Sequence, residues 1–147
     1  MKVIKLLTYF TMLMFVGFTT ISCLNDDDSS EEYTSYGFVP ASKLEYNIDS
    51  VGPIKKPTNI HVTFELKGDC QDFVEFKDIA SSASDVKNFG VFGSQKNNSS
   101  CTNDIRIVTK TYRFVPTKAG ENTIRVWAGK LNGEDIYISE TIQIPAE

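Results

Sequence analysis

The chain has little of what metal centres, nucleophilic enzymes and nucleic-acid binders are built from. It holds one histidine (His61), one tryptophan (Trp127) and three cysteines among 147 residues. No second His or Cys stands at ligand spacing from His61, so neither a zinc site nor a Ser-His-Asp arrangement can be assembled from the sequence. No metal and no cofactor is therefore expected. Basic residues number 15 against 19 acidic ones and form no stripe, which argues against nucleic acid as a partner. No stretch of the body repeats at helical period. The single long apolar run, residues 6–18, falls short of the about 20 residues that a membrane span needs.

What that run does suggest is a leader. Lys2 and Lys5 precede it, and the small and polar residues Thr19, Thr20 and Ser22 close it, which is the layout of a secretory signal over residues 1–22. An acidic tract follows instead of the basic flank of a stop-transfer helix. All three methionines, Met1, Met12 and Met14, lie inside this leader. Its removal leaves 125 of the 147 residues, with 13 basic and 19 acidic side chains and a net charge of −6. That length suits one domain behind a short spacer. Residues 24–35 are acidic and serine-rich with almost nothing apolar, so residues 23–35 are assigned to a flexible linker and residues 36–147 to the domain.

The domain is rich in Phe, Tyr, Ile and Val in short runs bounded by turn residues, as strands are. Residues 44–51 alternate Leu44, Tyr46 and Ile48 with polar neighbours. Residues 59–66 are the cleanest strand, with Ile60, Val62, Phe64 and Leu66 facing one way and His61, Thr63 and Glu65 the other. Residues 70–77 make a third strand, with Val74 and Phe76 on one face and Phe73 on the other. Residues 79–103 read as a long irregular connection holding one short strand near 86–92. Residues 104–115 form a long strand whose apolar parity shifts between Ile107 and Val108, which a bulge or a bend near Val108 would account for. For the last hairpin, a three-residue loop, Leu131-Asn132-Gly133, sets Ala128 opposite Ile136 and Val126 opposite Ile138. A two-residue Asn132-Gly133 turn would instead mix the faces. About seven short strands with frequent turn signals predict an antiparallel β-sandwich.

Two stretches carry resemblances. Thr20-Ile21-Ser22-Cys23 resembles a bacterial lipobox of the looser kind found in Bacteroidetes lipoproteins, which implies that Cys23 becomes the first mature residue and carries the lipid. Asp26-Asp27-Asp28 resembles the acidic export tag of that family, which implies an outer-membrane lipoprotein facing the cell exterior. The segment 112–127, with Tyr112, Phe114, Pro116, Gly120, Ile124, Val126 and Trp127, is similar to the late strands of bacterial immunoglobulin-like domains. This implies an immunoglobulin-like sandwich and leaves function open, because such folds host many. Asp49-Ser50-Val51 resembles the Asp-Ser/Thr-apolar sequence at which the same bacteria attach O-linked glycans, which marks Ser50.

The remaining candidates follow from residue type. Cys70 and Cys101 both sit in turn-like sequence, and an exported protein meets oxidising conditions, so they are expected to pair in a disulfide, with two free thiols as the alternative. Asp69, Asp72, Glu75 and Asp78 supply carboxylates, but no nucleophile or metal motif accompanies them, and an enzyme is not expected. Sandwiches that bind sugars stack rings on exposed aromatic residues, and Phe89, Phe92 and Trp127 are the candidates for contact with a glycan or protein ligand. Trp127 has the opposite parity to Val126, so it either packs under an edge or stands as a platform. The expected role is a membrane-anchored binding module, with a subunit of an envelope assembly as the alternative.

The leader makes a prediction of its own. Cys23→Ala is expected to abolish acyl labelling and move the protein out of the membrane fraction; a variant that still sediments with membranes would contradict the anchor.

Overall fold

A computed structural model describes residues 32–81, 83–97 and 100–146. The leader, Cys23 and the acidic tract through residue 31 lie outside the described residues. The remainder is an all-β sandwich of eight strands: β1 (Tyr33–Val39), β2 (Ala41–Tyr46), β3 (Thr58–Lys67), β4 (Gln71–Ile79), β5 (Val86–Asn97), β6 (Ile105–Phe114), β7 (Gly120–Leu131) and β8 (Glu134–Ile144). β2, β3 and β6 form one sheet; β1, β4, β5, β7 and β8 form the other.

Alternation builds the core. Ile60, Val62, Phe64 and Leu66 of β3 are all buried, and their polar neighbours His61 and Glu65 are exposed, as the period-two pattern predicts. They face Phe89 and Val91 of β5, Ile124 and Val126 of β7, and Ile142 and Ile144 of β8 within one apolar cluster. Burying a side chain of this size contributes about 1.5–3 kcal/mol, so these inward positions dominate the stability of the domain.

The sheet with five strands departs from simple antiparallel order. β5 and β7 pair in parallel over Val86–Phe89 and Thr123–Val126. They run the same way because the intervening β6 crosses to the other sheet, where it pairs with β3. The parallel contact covers only four residue pairs, and beyond it β1 takes up the same side of β5, from Val39 opposite Val91 to Tyr33 opposite Asn97. After Pro40 the chain switches sheets and continues as β2 against β3.

Several expectations are corrected here. β1 begins at Tyr33, so its first three residues belong to the domain and not to the linker. β2 ends at Tyr46 because the Asn47 side chain accepts the Asp49 N–H (2.9 Å) and starts a one-turn 3-10 helix, Ile48–Ser50. A bulge at Val74 in β4 turns Phe73 and Phe76 to the same side, with ring centroids 5.1 Å apart against the core, and leaves Val74 exposed. No bulge interrupts β6, which pairs with β3 over ten consecutive residues. The parity shift there has a simpler cause: Ile105 and Ile107 lie on the outward face, 64% and 73% exposed.

β5 is the largest correction, being a strand of 12 residues where a short one was expected. Its glycines look like breakers but are close-approach sites. A Cβ on Gly90 would lie 2.7 Å from the Phe38 ring, and one on Gly93 would lie 2.9 Å from both the Asp72 carbonyl and Val39. The last hairpin does use the two-residue turn. Asn132 and Gly133 both have positive φ (53° and 88°), as a type I′ turn requires. The extra residue sits instead in β7, where the register shifts between Trp127 and Gly129. Val126 thus still meets Ile138, while Ile136 meets Gly129 and not Ala128.

Cys70 and Cys101 are joined in a disulfide, their Cα atoms 5.5 Å apart. The Thr102 backbone N–H donates to Asp69 (2.9 Å), and this bond holds the Asp69 carboxyl below the usual carboxylate range. Arg106 donates to the carbonyls of Gly68 and Gln71 beside it.

Two measurements check this architecture. In urea, Phe89→Ala is expected to lower stability by about 3–5 kcal/mol, while Ile107→Thr on the outward face stays within about 0.5 kcal/mol. Equal losses would contradict the assignment of faces. Reducing the disulfide, which closes a loop of sequence separation 31, is expected to lower stability by roughly 3–4 kcal/mol. An unchanged midpoint after complete alkylation would contradict that.

Candidate binding face

The outward face of the five-stranded sheet gathers most of the aromatic residues that do not enter the core. In β1, Tyr36 and Phe38 alternate with Ser35 and Gly37 and so project from one side. Phe38 pairs with Phe92 of β5 across the sheet, and Trp127 of β7 pairs with Tyr137 of β8. The ring centroids follow one another at 6.3 Å from Tyr36 to Phe92, 5.6 Å from Phe92 to Phe38 and 5.9 Å from Phe38 to Trp127. Tyr36 and Phe92 are nearly parallel at 11°, whereas Phe38 stands edge-on to Phe92 at 75°. The bare backbone at Gly90 is what lets the Phe38 ring settle between its neighbours.

Tyr36 is 64% exposed and Phe38 43%; Phe92, Trp127 and Tyr137 are half-buried. Phe92 to Tyr137 spans from β5, through the side that β1 and β7 share, to β8. That is two strand spacings of about 4.8 Å each, or roughly 10 Å of aromatic surface. Continuous exposed apolar surface of this kind marks a binding face more often than it decorates a free one.

Charged groups frame the row and are tied into it. The Lys77 ammonium lies 3.4 Å from the centre of the Phe92 ring and 3.5 Å from Glu75, which is cation–π geometry. Arg125 sits over Tyr137 at 4.6 Å. The Trp127 indole N–H donates to Asp135 (2.9 Å), and Lys130 pairs with the same carboxylate at 3.7 Å. The indole is thereby held in one orientation, and Lys77 covers one face of Phe92.

Of the three residues proposed for ligand contact, Phe92 and Trp127 join this face. Phe89 does not: it is fully buried (0% exposed), because its parity in β5 is that of Val91 and not of Phe92. Its ring stacks on Tyr112 at 3.9 Å and 9°. Tyr36, Phe38 and Tyr137 were missed by sequence reasoning. The signal for the first two was the alternation in Tyr36-Gly37-Phe38-Val39 before Pro40.

The other candidates fall elsewhere. Ser50 is exposed in the 3-10 turn, and its hydroxyl donates to the Asn47 carbonyl (2.7 Å). His61 is exposed on the opposite sheet, 3.3 Å from the Thr111 hydroxyl. Among the described residues, the one group of His, Cys and carboxylate side chains close enough to share a metal is Asp69, Cys70 and Cys101. Both of its sulfurs are consumed by the disulfide, so it offers no thiolate. Cys23 lies outside the described residues. No protein-family model, curated protein or solved structure matches the chain.

Tyr112 shows what burial does to the ring that Phe89 meets. Burial first, and the Asp78 carboxylate that accepts its hydroxyl (3.4 Å) second, hold its phenol well above the usual tyrosine range. The native phenol therefore stays neutral where an unfolded tyrosine ionises, near about pH 10. Its stabilising contribution is complete below that pH and is lost as pH rises above it. Urea unfolding between about pH 9 and 11 should show a decline that Tyr112→Phe reduces; an equal decline in the variant would contradict the assignment.

Proposed function

We propose that this chain is a lipid-anchored module of the outer membrane that faces the cell exterior and binds glycan, without catalysing a reaction, on the aromatic face of its five-stranded sheet. The observation that carries this reading is the row Tyr36, Phe92, Phe38 and Trp127, with successive centroids 5.6–6.3 Å apart. Sugar rings present C–H faces to aromatic rings, and ring contacts of this kind are worth about 0.5–1.5 kcal/mol each. Trp127 is oriented by Asp135 before any ligand arrives, which lowers the ordering cost of binding. The carboxylates beside the row are engaged, Glu75 by Lys77 and Asp135 by the Trp127 indole and Lys130.

Attachment in this reading rests on Cys23, the last residue of the lipobox-like Thr20-Ile21-Ser22-Cys23. Each buried methylene contributes about 0.8 kcal/mol, and two or more acyl chains hold stably. Tyr33 starts β1 opposite Asn97, and Lys96 donates its backbone N–H to the Cys70 carbonyl. The chain therefore enters the domain at its disulfide end. Ser50 is exposed as an acceptor of O-linked glycan would need to be.

A second reading, a subunit of an envelope assembly, has one observation in its favour. β6 is an edge of its sheet, and its outward side carries Ile105 and Ile107, both well exposed. An edge strand of this kind is a template for strand addition. Sedimentation equilibrium separates the two readings: a monomer at micromolar concentration favours the module, and a stable oligomer dispersed by Ile107→Lys favours the assembly.

The glycan reading is tested by co-sedimentation of the purified protein with insoluble polysaccharide. Tyr36→Ala and Trp127→Ala are each expected to weaken retention by about 2- to 12-fold, the equivalent of one ring contact. His61→Ala on the other sheet should leave it unchanged. Equal retention of all three variants would contradict the site.

A further inference from the structure

We infer that the ligand of this face is a neutral polysaccharide bound in extended form along its length, and not a polyanion. The inference rests on the glycan reading above and narrows it.

The first ground is direction and reach. Tyr36 and Phe38 follow one another along β1, and Trp127 lies on β7, which takes the same side of β5. The row therefore runs along the strands, with Phe92 of β5 beside it and with Lys77 of β4 and Tyr137 of β8 flanking it. A ligand lying on it meets several rings in succession, neighbouring centroids being 5.6–6.3 Å apart. Several contacts in succession on an open surface suit a polymer. A single small sugar would use one ring and forgo the others.

The second ground is charge. Lys77 is 3.5 Å from Glu75, and Lys130 is 3.7 Å from Asp135. Asp135 also accepts the Trp127 indole N–H. Among the described residues, Lys77 and Lys130 beside the row are thus matched by carboxylates, while Arg125 has its guanidinium over Tyr137. A guanidinium held in that way presents N–H donors that hydroxyl oxygens can accept. Cations held in this way do not make the continuous electropositive track that a polyanion requires. Residues 33–147 carry 13 basic and 14 acidic side chains, a net charge of −1, so the domain as a whole offers a polyanion no net attraction.

The test uses the full-length protein in a detergent without a sugar headgroup, run on native gels cast with soluble polysaccharide. Mixed-linkage β-glucan, xyloglucan, arabinoxylan and galactomannan are the neutral probes; polygalacturonate and a sulfated glycan are the anionic ones. Retardation by at least one neutral probe and by neither anionic one is expected. It should weaken by about 2- to 12-fold in Trp127→Ala and, because that variant could lose structure, also in the surface variant Tyr36→Ala. Affinity for oligosaccharides cut from the same polymer should rise from the disaccharide to the hexasaccharide. Retardation by an anionic probe, with or without a neutral one and lost in Arg125→Gln or Lys77→Gln, overturns the neutral assignment and leaves the glycan reading standing. So does affinity that is already complete at the disaccharide, which removes the polymer. Retardation by none of the six probes overturns both.

Discussion

The binding face depends on how β1 lies against β5. The parallel contact between β5 and β7 ends after four residue pairs, leaving the upper half of β5 without a partner on that side. β1 fills the gap, and it can do so because Gly90 and Gly93 leave no side chain in its way. A residue with a Cβ at Gly90 would displace Phe38, and the row would lose the ring that links Phe92 to Trp127. One close packing contact thus completes the sheet, buries Val39 over the core and assembles the aromatic surface on the other side.

That same contact explains what could and could not be read from the sequence. β3 and the inward residues of β7 and β8 were legible because each alternates over a long run with one buried face. The Cys70–Cys101 bond was legible as one of two alternatives, and the structure holds the pair together. β5 was not legible, because Gly90 and Gly93 signal a break locally and acquire a packing reason only from Phe38 and Val39, about 55 residues away in sequence. Phe89 and Phe92 were grouped because they stand close together in a polar segment. They are an odd number of residues apart in one strand, so the sheet sends them to opposite faces.

The last hairpin teaches a related point. Register was argued correctly at Val126 and Ile138, but the extra residue was placed in the loop. The chain keeps the tight Asn132-Gly133 turn, which its positive φ values favour, and absorbs the residue as a bulge after Trp127. A loop and a strand are alternative places for one residue, and local turn chemistry decided between them.

The central claim is that the outward aromatic row is where ligand binds, and the protein carries its own probe there, since Trp127 is its sole tryptophan. Titrating the full-length protein with a hexasaccharide of a neutral polysaccharide while following indole fluorescence tests it directly. A saturable change in intensity and a shift of the emission maximum to shorter wavelength are predicted, both abolished in Tyr36→Ala/Phe38→Ala. Saturable binding by calorimetry with no change in Trp127 emission would place the site elsewhere and contradict the account.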